Sequence, residues 1–216
     1  MHNPGTAELF HYWNRLRDGK AAPERSQIEP ADIRNYLSDT FILEQSANNV
    51  ATFRLAGTRL CSTYGRELKD FSFYSLFSLG DSGLIRRLIT SCFVDKTLCV
   101  INFDGISKQK RVANFEAIFM PLAGKNESAR LFGAIFSNEK PYWLGVDSIV
   151  ESRITSMRVI DPDKDHIFLE NRPQVVVPQM APIEEEISGP SALSVHKLGT
   201  YKKIPHLTVI SGGRTE

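Results

Sequence analysis

Apolar residues recur with two different spacings along the first 138 positions of the chain. In residues 6–18 and again in residues 81–93 they fall three and four positions apart, which predicts two amphipathic helices. Thr6 is the expected N-cap of the first helix, and Asp18-Gly19 ends it. The buried stripes comprise Leu9, Tyr12, Trp13 and Leu16 in the first helix and Leu84, Ile85, Leu88, Ile89, Cys92 and Phe93 in the second.

Elsewhere in this region apolar and polar residues alternate, which is the spacing of a half-buried strand. The alternation predicts strands at residues 40–45, 50–55, 97–104, 111–122 and 130–138. A tight polar turn at Asn48-Asn49 joins the first two strands as a hairpin. In the fourth strand, one face carries Ala113, Phe115, Ala117 and Phe119, and the other carries Asn114, Glu116, Ile118 and Met120.

Glycines mark both ends of a short helix that follows the second strand. Gly57 breaks the alternation of the strand, and Thr58 is the expected N-cap of the helical turns. Gly65 is expected to end them in the left-handed conformation, which only glycine adopts at low cost. Another short helix is predicted at residues 30–37, with Pro30 in its first turn, and helical turns are predicted in the aromatic-rich residues 71–77.

The order of elements is two strands, several short helices, a longer helix and three strands. This order predicts an α+β domain, in which a five-stranded antiparallel sheet has helices on one face and follows an N-terminal amphipathic helix. Residues 1–38 are the predicted helical cap, and residues 39–138 are the predicted domain. Seven of the eleven prolines lie in residues 139–216, which we predict to be an extension that is partly ordered against the domain or a partner. The short β-prone fragments of this extension are residues 157–160, 174–177 and 206–210.

Composition narrows the class of protein. Hydrophobic residues make up 42% of the 216 positions, enough for a packed core, and the net charge is +1 without a long basic run, which argues against nucleic acid as a partner. We expect no transmembrane segment, because no apolar run approaches the roughly 20 residues that span a bilayer. The first five residues lack the pattern of a secretion signal. The three cysteines have no metal-type spacing, so we expect reduced thiols, packed as small buried hydrophobes, in a cytoplasmic protein.

Motifs for catalysis and metal binding are missing from the sequence. It has neither a Gly-x-Ser-x-Gly elbow nor a glycine loop for phosphate, and therefore we predict no enzymatic activity. Residues 161–165 have the acidic start of a calcium loop. His166 and Arg172 stand where that loop requires glycine and glutamate, so we predict a solvated acidic turn and no metal site.

Several separated segments resemble one known family. The segment FRLAGTRLCSTYGREL at residues 53–68 follows Pro23-Glu24-Arg25 and IEPADIRNYLSDTFILE at residues 28–44. Together they resemble a family of alphaproteobacterial PAS-domain proteins over roughly residues 6–138. The resemblance implies the PAS fold, which agrees with the element order. It also implies a stand-alone sensor module in two-component signalling, with a histidine kinase as partner in the control of the cell cycle or motility.

PAS domains often carry a cofactor between the sheet and the helices, and the sequence argues against two common ones. All five histidines lie outside residues 41–138, so that region offers no histidine as an axial haem ligand. Cys61 lies in Leu60-Cys61-Ser62 and not in the asparagine-cysteine-arginine-phenylalanine motif of light-sensing flavin domains. We therefore predict that the protein carries no cofactor.

The candidate ligand-binding residues come from the predicted helices and strands. The apolar candidates for lining a pocket are Leu55, Leu60, Phe73, Leu88, Phe115 and Phe119, and the polar candidates are Arg54, Tyr64 and Glu116, with Arg59 beside them. Arg54 and Glu116 have two interpretations. They either line a pocket for a small apolar ligand or form a half-exposed salt bridge worth about 1 kcal/mol or less.

Tyr12 and Trp13 on the first helix also have two interpretations. They either cap the sheet of their own chain or form the interface of a homodimer.

The leading hypothesis is a non-catalytic sensor or adaptor that acts through protein contacts. Its alternatives are a small-molecule or redox-cofactor sensor, an enzyme, and a purely structural dimer module. Under the leading hypothesis, deletion of residues 139–216 leaves a folded domain and weakens the binding of a partner.

Overall fold

An antiparallel sheet of six strands runs through the part of the chain that the computed structural model describes, namely residues 1–46, 48–124 and 129–163. The helices of this part are α1 (Pro4–Arg17), α2 (Thr58–Tyr64) and α3 (Ser82–Val94). Its strands are β1 (Thr40–Gln45), β2 (Ala51–Ala56), β3 (Leu98–Ser107), β4 (Val112–Leu122), β5 (Arg130–Ser137) and β6 (Ile149–Ile160). Single 3₁₀ turns lie at Arg25–Gln27, Leu37–Asp39 and Phe73–Leu76.

The strands lie in the order β2-β1-β5-β4-β3-β6, and every neighbouring pair is antiparallel. A hairpin of β1 and β2 precedes α2 and α3, and the meander of β3, β4 and β5 follows them. The pairing of β1 with β5 closes the sheet between these two parts. The predicted α+β class and the antiparallel sheet are thereby confirmed.

The predicted count of five strands is wrong, because β6 adds a sixth strand along the outer side of β3. Their register runs from Leu98 opposite Ile160 to Ser107 opposite Ile149. The sequence signal was weak for two physical reasons. An edge strand is exposed on much of its surface, and two irregularities in this pairing break the alternation of buried and exposed positions.

Both faces of the sheet are covered, because alternate side chains of β4 are buried in two different cores. Phe115 and Phe119 belong to a core beneath α2 and α3. Ile118 and Met120 belong to a second core beneath α1. The helices after β2 therefore share one face, as predicted, and the N-terminal helix covers the opposite one.

Two local predictions near the N-terminus need correction. Asn3, not Thr6, is the N-cap of α1, because its side chain accepts a hydrogen bond from the Gly5 N–H at 3.0 Å and Pro4 suits the first turn. The predicted helix at residues 30–37 is a series of turns. Its backbone bonds span three residues, as from the Tyr36 N–H to the Ile33 carbonyl.

The junction at Gly57 packs two segments of backbone against each other. Gly57, not Thr58, is the N-cap of α2. A Cβ at Gly57 would overlap the carbonyl oxygens of Leu37 and Ser38, so only glycine allows this approach. Gly65 ends α2 in the left-handed conformation with φ of 63°, as the sequence predicted.

Candidate functional site

The space between the sheet and α2–α3 is where the sequence placed a ligand pocket. The structure brings most of the predicted pocket residues together there and buries their side chains in one core. These residues are Leu60, Tyr64, Phe73, Leu88, Phe115 and Phe119. These residues are neighbours, as predicted, but their side chains pack against one another and not around an open pocket.

Aromatic rings fill this space. Phe73 lies at its centre, with ring centroids 5.3 Å from Phe119, 5.4 Å from Phe77, 5.6 Å from Phe53 and 5.9 Å from Phe41. These distances are those of favourable aromatic pairs in direct contact. The cluster continues from Phe77 through Phe103 to Phe115 at 5.5 and 5.2 Å.

Tyr64 connects α2 to the added strand β6. Its hydroxyl lies 3.4 Å from the hydroxyl oxygen of Ser152, and both side chains are buried. Burial raises the pKa of Tyr64 to about 12, so the phenol stays protonated near neutral pH. In this environment Tyr64 joins two elements and does not supply a base for proton transfer.

Arg54 and Leu55 lie at the surface, away from the aromatic core. Leu55 is 47% exposed, and the two residues line an open groove of about 360 Å³. The other residues that line this groove are Arg25, Ile42, Lys69 and Arg130. Sequence reasoning missed these four, because their proximity depends on the pairing of β1 with β5 and on the path of two connecting segments.

The predicted neighbourhood of Arg54 and Glu116 is wrong. Two strands, β1 and β5, separate the β2 strand of Arg54 from the β4 strand of Glu116. Arg54 instead lies 4.0 Å from Glu44, which also binds Arg130 at 3.1 Å. The sequence pattern predicted the strands of Arg54 and Glu116 correctly, but it does not determine the order of the strands in the sheet.

Glu116 anchors the N-terminal segment. Its side chain is fully buried, and its two carboxylate oxygens accept the backbone N–H groups of His2 at 2.8 Å and Asn3 at 3.1 Å. These donors directly precede α1, so the carboxylate fixes the start of the helix against β4. Hydrogen bonds to a charged acceptor are stronger than those between neutral groups.

We expect Glu116→Ala to lower the free energy of unfolding by about 3 kcal/mol, because two backbone donors lose a charged acceptor in a buried place. Urea denaturation measures the change. Glu139→Ala is the matched control, since Glu139 is exposed and its change is expected to stay within about 0.5 kcal/mol. Equal stability of the two variants would contradict the anchoring role.

Tyr12 and Trp13 cap the sheet of their own chain, which is the first of the two predicted alternatives. Trp13 is fully buried and donates its indole N–H to the Pro121 carbonyl at 2.9 Å. The hydroxyl of Tyr12 accepts the Glu29 N–H at 2.9 Å. These side chains are occupied within one chain and offer little surface to a second copy.

Arg59 forms an ion pair with Asp39, whose side chain is buried. This pair joins the two segments that carried the family resemblance. It lies in a cleft of about 730 Å³ between the start of α1, α2 and the connection from β5 to β6. Sequence reasoning singled out Arg59 and missed Asp39, because no spacing rule connects residues 20 positions apart.

Thiols and acidic residues in the described ranges form no recognisable metal centre. Cys92 and Cys99 are buried, as predicted, with their Sγ atoms 3.3 Å apart, and Cys61 is half-buried. No group of three potential metal ligands meets within these ranges.

Asp163, in the calcium-like segment, pairs with Arg17 at 2.5 Å. Residues 164 and 165 of that segment, His166, Arg172 and the β-prone fragments at residues 174–177 and 206–210 lie outside the described residues.

Comparison with known proteins identifies a family for the N-terminal part of the chain. A family model for the PAS domain matches residues 1–136. The match includes α1 and ends before β6 begins. A search of curated proteins finds no match. No helix within the described ranges is long and apolar enough to span a bilayer.

Proposed function

Because the chain belongs to the PAS domain family, whose members are sensor modules of signalling proteins, we propose that it is a non-catalytic adaptor that acts through protein contacts. We place it in the cytoplasm, with a histidine kinase as its partner in the control of the cell cycle or motility. The choice of partner and process derives from the resemblance of residues 28–44 and 53–68 to alphaproteobacterial PAS proteins.

One observation carries the adaptor role, namely the filled space between the sheet and the helices. A small ligand in that space would have to displace rings that contact one another, such as those of Phe73 and Phe119. Displacing closely packed side chains costs their contacts and forces them from preferred rotamers. This arrangement favours a module that binds a partner at its surface over one that binds a small ligand in its interior.

The surface offers polar and apolar groups for such contacts. Arg54 and Leu55, which the sequence assigned to a ligand site, both point to solvent. A homodimer through α1 would need exposed positions of that helix, since Tyr12 and Trp13 are buried. We propose that the module comprises residues 1–163 and that the residues after 163 add contacts to a partner.

Affinity capture of the full chain from the cells that produce it, followed by an absorption spectrum, tests the proposal. We expect a histidine kinase in the captured material and no absorbance above the aromatic band. A chromophore in the purified protein would favour the cofactor-sensor alternative. Capture without any signalling protein would contradict the adaptor role.

A further inference from the structure

The groove beside Leu55 combines positive charge with an apolar floor. Of the six described residues that line it, four are cationic and none is acidic. Ile42 and Leu55, which are opposite each other in the β1–β2 pair, supply the apolar part. The groove therefore has the chemistry of an interface and not that of an ordinary solvated surface.

Of the described residues that line the groove or form an ion pair with its lining, four are cationic and one, Glu44, is acidic. Glu44 is paired with both Arg54 and Arg130. In the ranges that the structure describes, Arg25 and Lys69 have no carboxylate within ion-pair distance. A concave surface lined by one sign of charge attracts the opposite sign and raises its local concentration.

The apolar floor of the groove belongs to the β1–β2 end of the sheet, where Leu55 is half-exposed and Ile42 is nearly buried. Ile42 is opposite Phe132 of β5, and Phe132 belongs to the core beneath α1. The groove consequently lies on the face that α1 covers, at the β1–β2 end that this helix leaves open. Leu55 is half-exposed there, although a leucine gains free energy when it leaves water.

We propose, on the premise of the adaptor function, that this groove binds an acidic amphipathic segment of a partner protein. Carboxylates of the segment pair with the arginines, whose planar guanidinium groups match carboxylates in a bidentate geometry. An apolar side chain of the segment packs mainly on Leu55, since Ile42 beside it is nearly buried. Arginines around a desolvated apolar contact are typical of the residues that dominate binding energy in protein interfaces.

The apolar floor is what selects a peptide over other anionic partners. Nucleic acid is bound through many phosphate contacts along an extended basic surface, whereas this chain has a net charge of +1. An anionic membrane is attracted by clustered basic residues with little dependence on one buried contact. An exposed leucine among the cations of the groove adds a requirement for an apolar side chain, and an amphipathic acidic segment meets both requirements.

Fluorescence polarisation with the full chain and a labelled peptide of alternating glutamate and leucine tests the inference. We expect Arg54→Ala and Leu55→Ser each to weaken binding about tenfold, which corresponds to about 1.4 kcal/mol. Arg153→Ala is the matched control, because the Arg153 side chain is exposed to a similar degree as that of Arg54 (63% and 59%) and also pairs with a glutamate. It is expected to leave binding unchanged. Thermal unfolding of each variant verifies that the fold is retained.

Four outcomes would overturn the inference. Equal weakening by Arg54→Ala and Arg153→Ala would indicate general attraction by charge. Equal binding of a glutamate–serine peptide would indicate a simple anion site. Displacement of the peptide by phosphatidylglycerol vesicles, with loss of vesicle binding in Arg54→Ala alone, would indicate a membrane surface. Absence of peptide binding would overturn it as well. If the kinase is still captured in that case, the adaptor function stands without this groove; if it is not, both fail.

Discussion

A chain that ends at residue 138 is expected to be unfolded, whereas a chain that ends at residue 163 is expected to fold as cooperatively as the full protein. The reason is β6, which covers the whole length of β3. Without it, β3 becomes an exposed edge, and the buried side chains of Trp143 and Ile149 are lost from the core beneath α2 and α3. This result would replace the expectation from sequence that deletion of residues 139–216 leaves a folded domain.

Buried polar contacts add to the loss. Ser107 donates a hydrogen bond to Asp147 at 2.6 Å, and the Ser152 carbonyl accepts the N–H of Ser78 at 2.9 Å. Burial of one large apolar side chain contributes about 1.5–3 kcal/mol, so the removal of Trp143, Ile149 and Ile160 alone is comparable with the roughly 5–15 kcal/mol that stabilises a typical domain. Circular dichroism during urea titration distinguishes the two chains. A cooperative transition at the same midpoint in both would contradict a structural role of β6.

Phe73→Ala is expected to lower the free energy of unfolding by about 3–5 kcal/mol, because it removes a buried ring and leaves a cavity that the surrounding rings only partly fill. Four other phenylalanine rings surround Phe73. An apolar cavity of this kind stays dry and binds small aromatic molecules. Benzene is therefore expected to raise the unfolding temperature of the Phe73→Ala variant and to leave that of the natural protein unchanged.

Phe71→Ala is the matched control for this substitution. Phe71 is 44% exposed and lies under the guanidinium of Arg66, so its loss is expected to cost about 1 kcal/mol or less and to create no benzene site. Calorimetry with and without benzene measures both effects. A stabilising effect of benzene on the natural protein would show that the interior already holds a cavity, and would contradict the filled core.

The spacing of apolar residues within each segment was sufficient to predict most helices and strands. β1 has the bounds that alternation indicated, and the buried positions of α3 include the predicted Ile85, Leu88, Ile89, Cys92 and Phe93. These elements bury one regular face, so their spacing survives in the sequence. β6 lacks that regularity because of its exposed edge and its bulges, so the sequence indicated only its last four residues, 157–160, as a β-prone fragment.

Contacts between distant segments could not be predicted in the same way. The separation of Arg54 from Glu116 depends on β5 pairing with β1, which places two strands between them. The groove around Leu55 likewise requires Arg25, Lys69 and Arg130 to meet from three separate parts of the chain. Leu60, Phe73 and Phe119 were correctly assigned to one interior, but whether their side chains enclose a ligand or one another depends on packing, which a hydrophobic pattern does not contain.

Native mass spectrometry of the full chain tests most directly whether the space between the sheet and the helices holds anything other than side chains. Protein purified under mild conditions is expected to show the mass of the 24.3 kDa polypeptide or a whole multiple of it. An additional mass that remains through gentle desolvation and disappears on unfolding would reveal a retained ligand. That result would contradict the filled interior and, with it, the proposal that this PAS domain is an adaptor that binds partners through its surface.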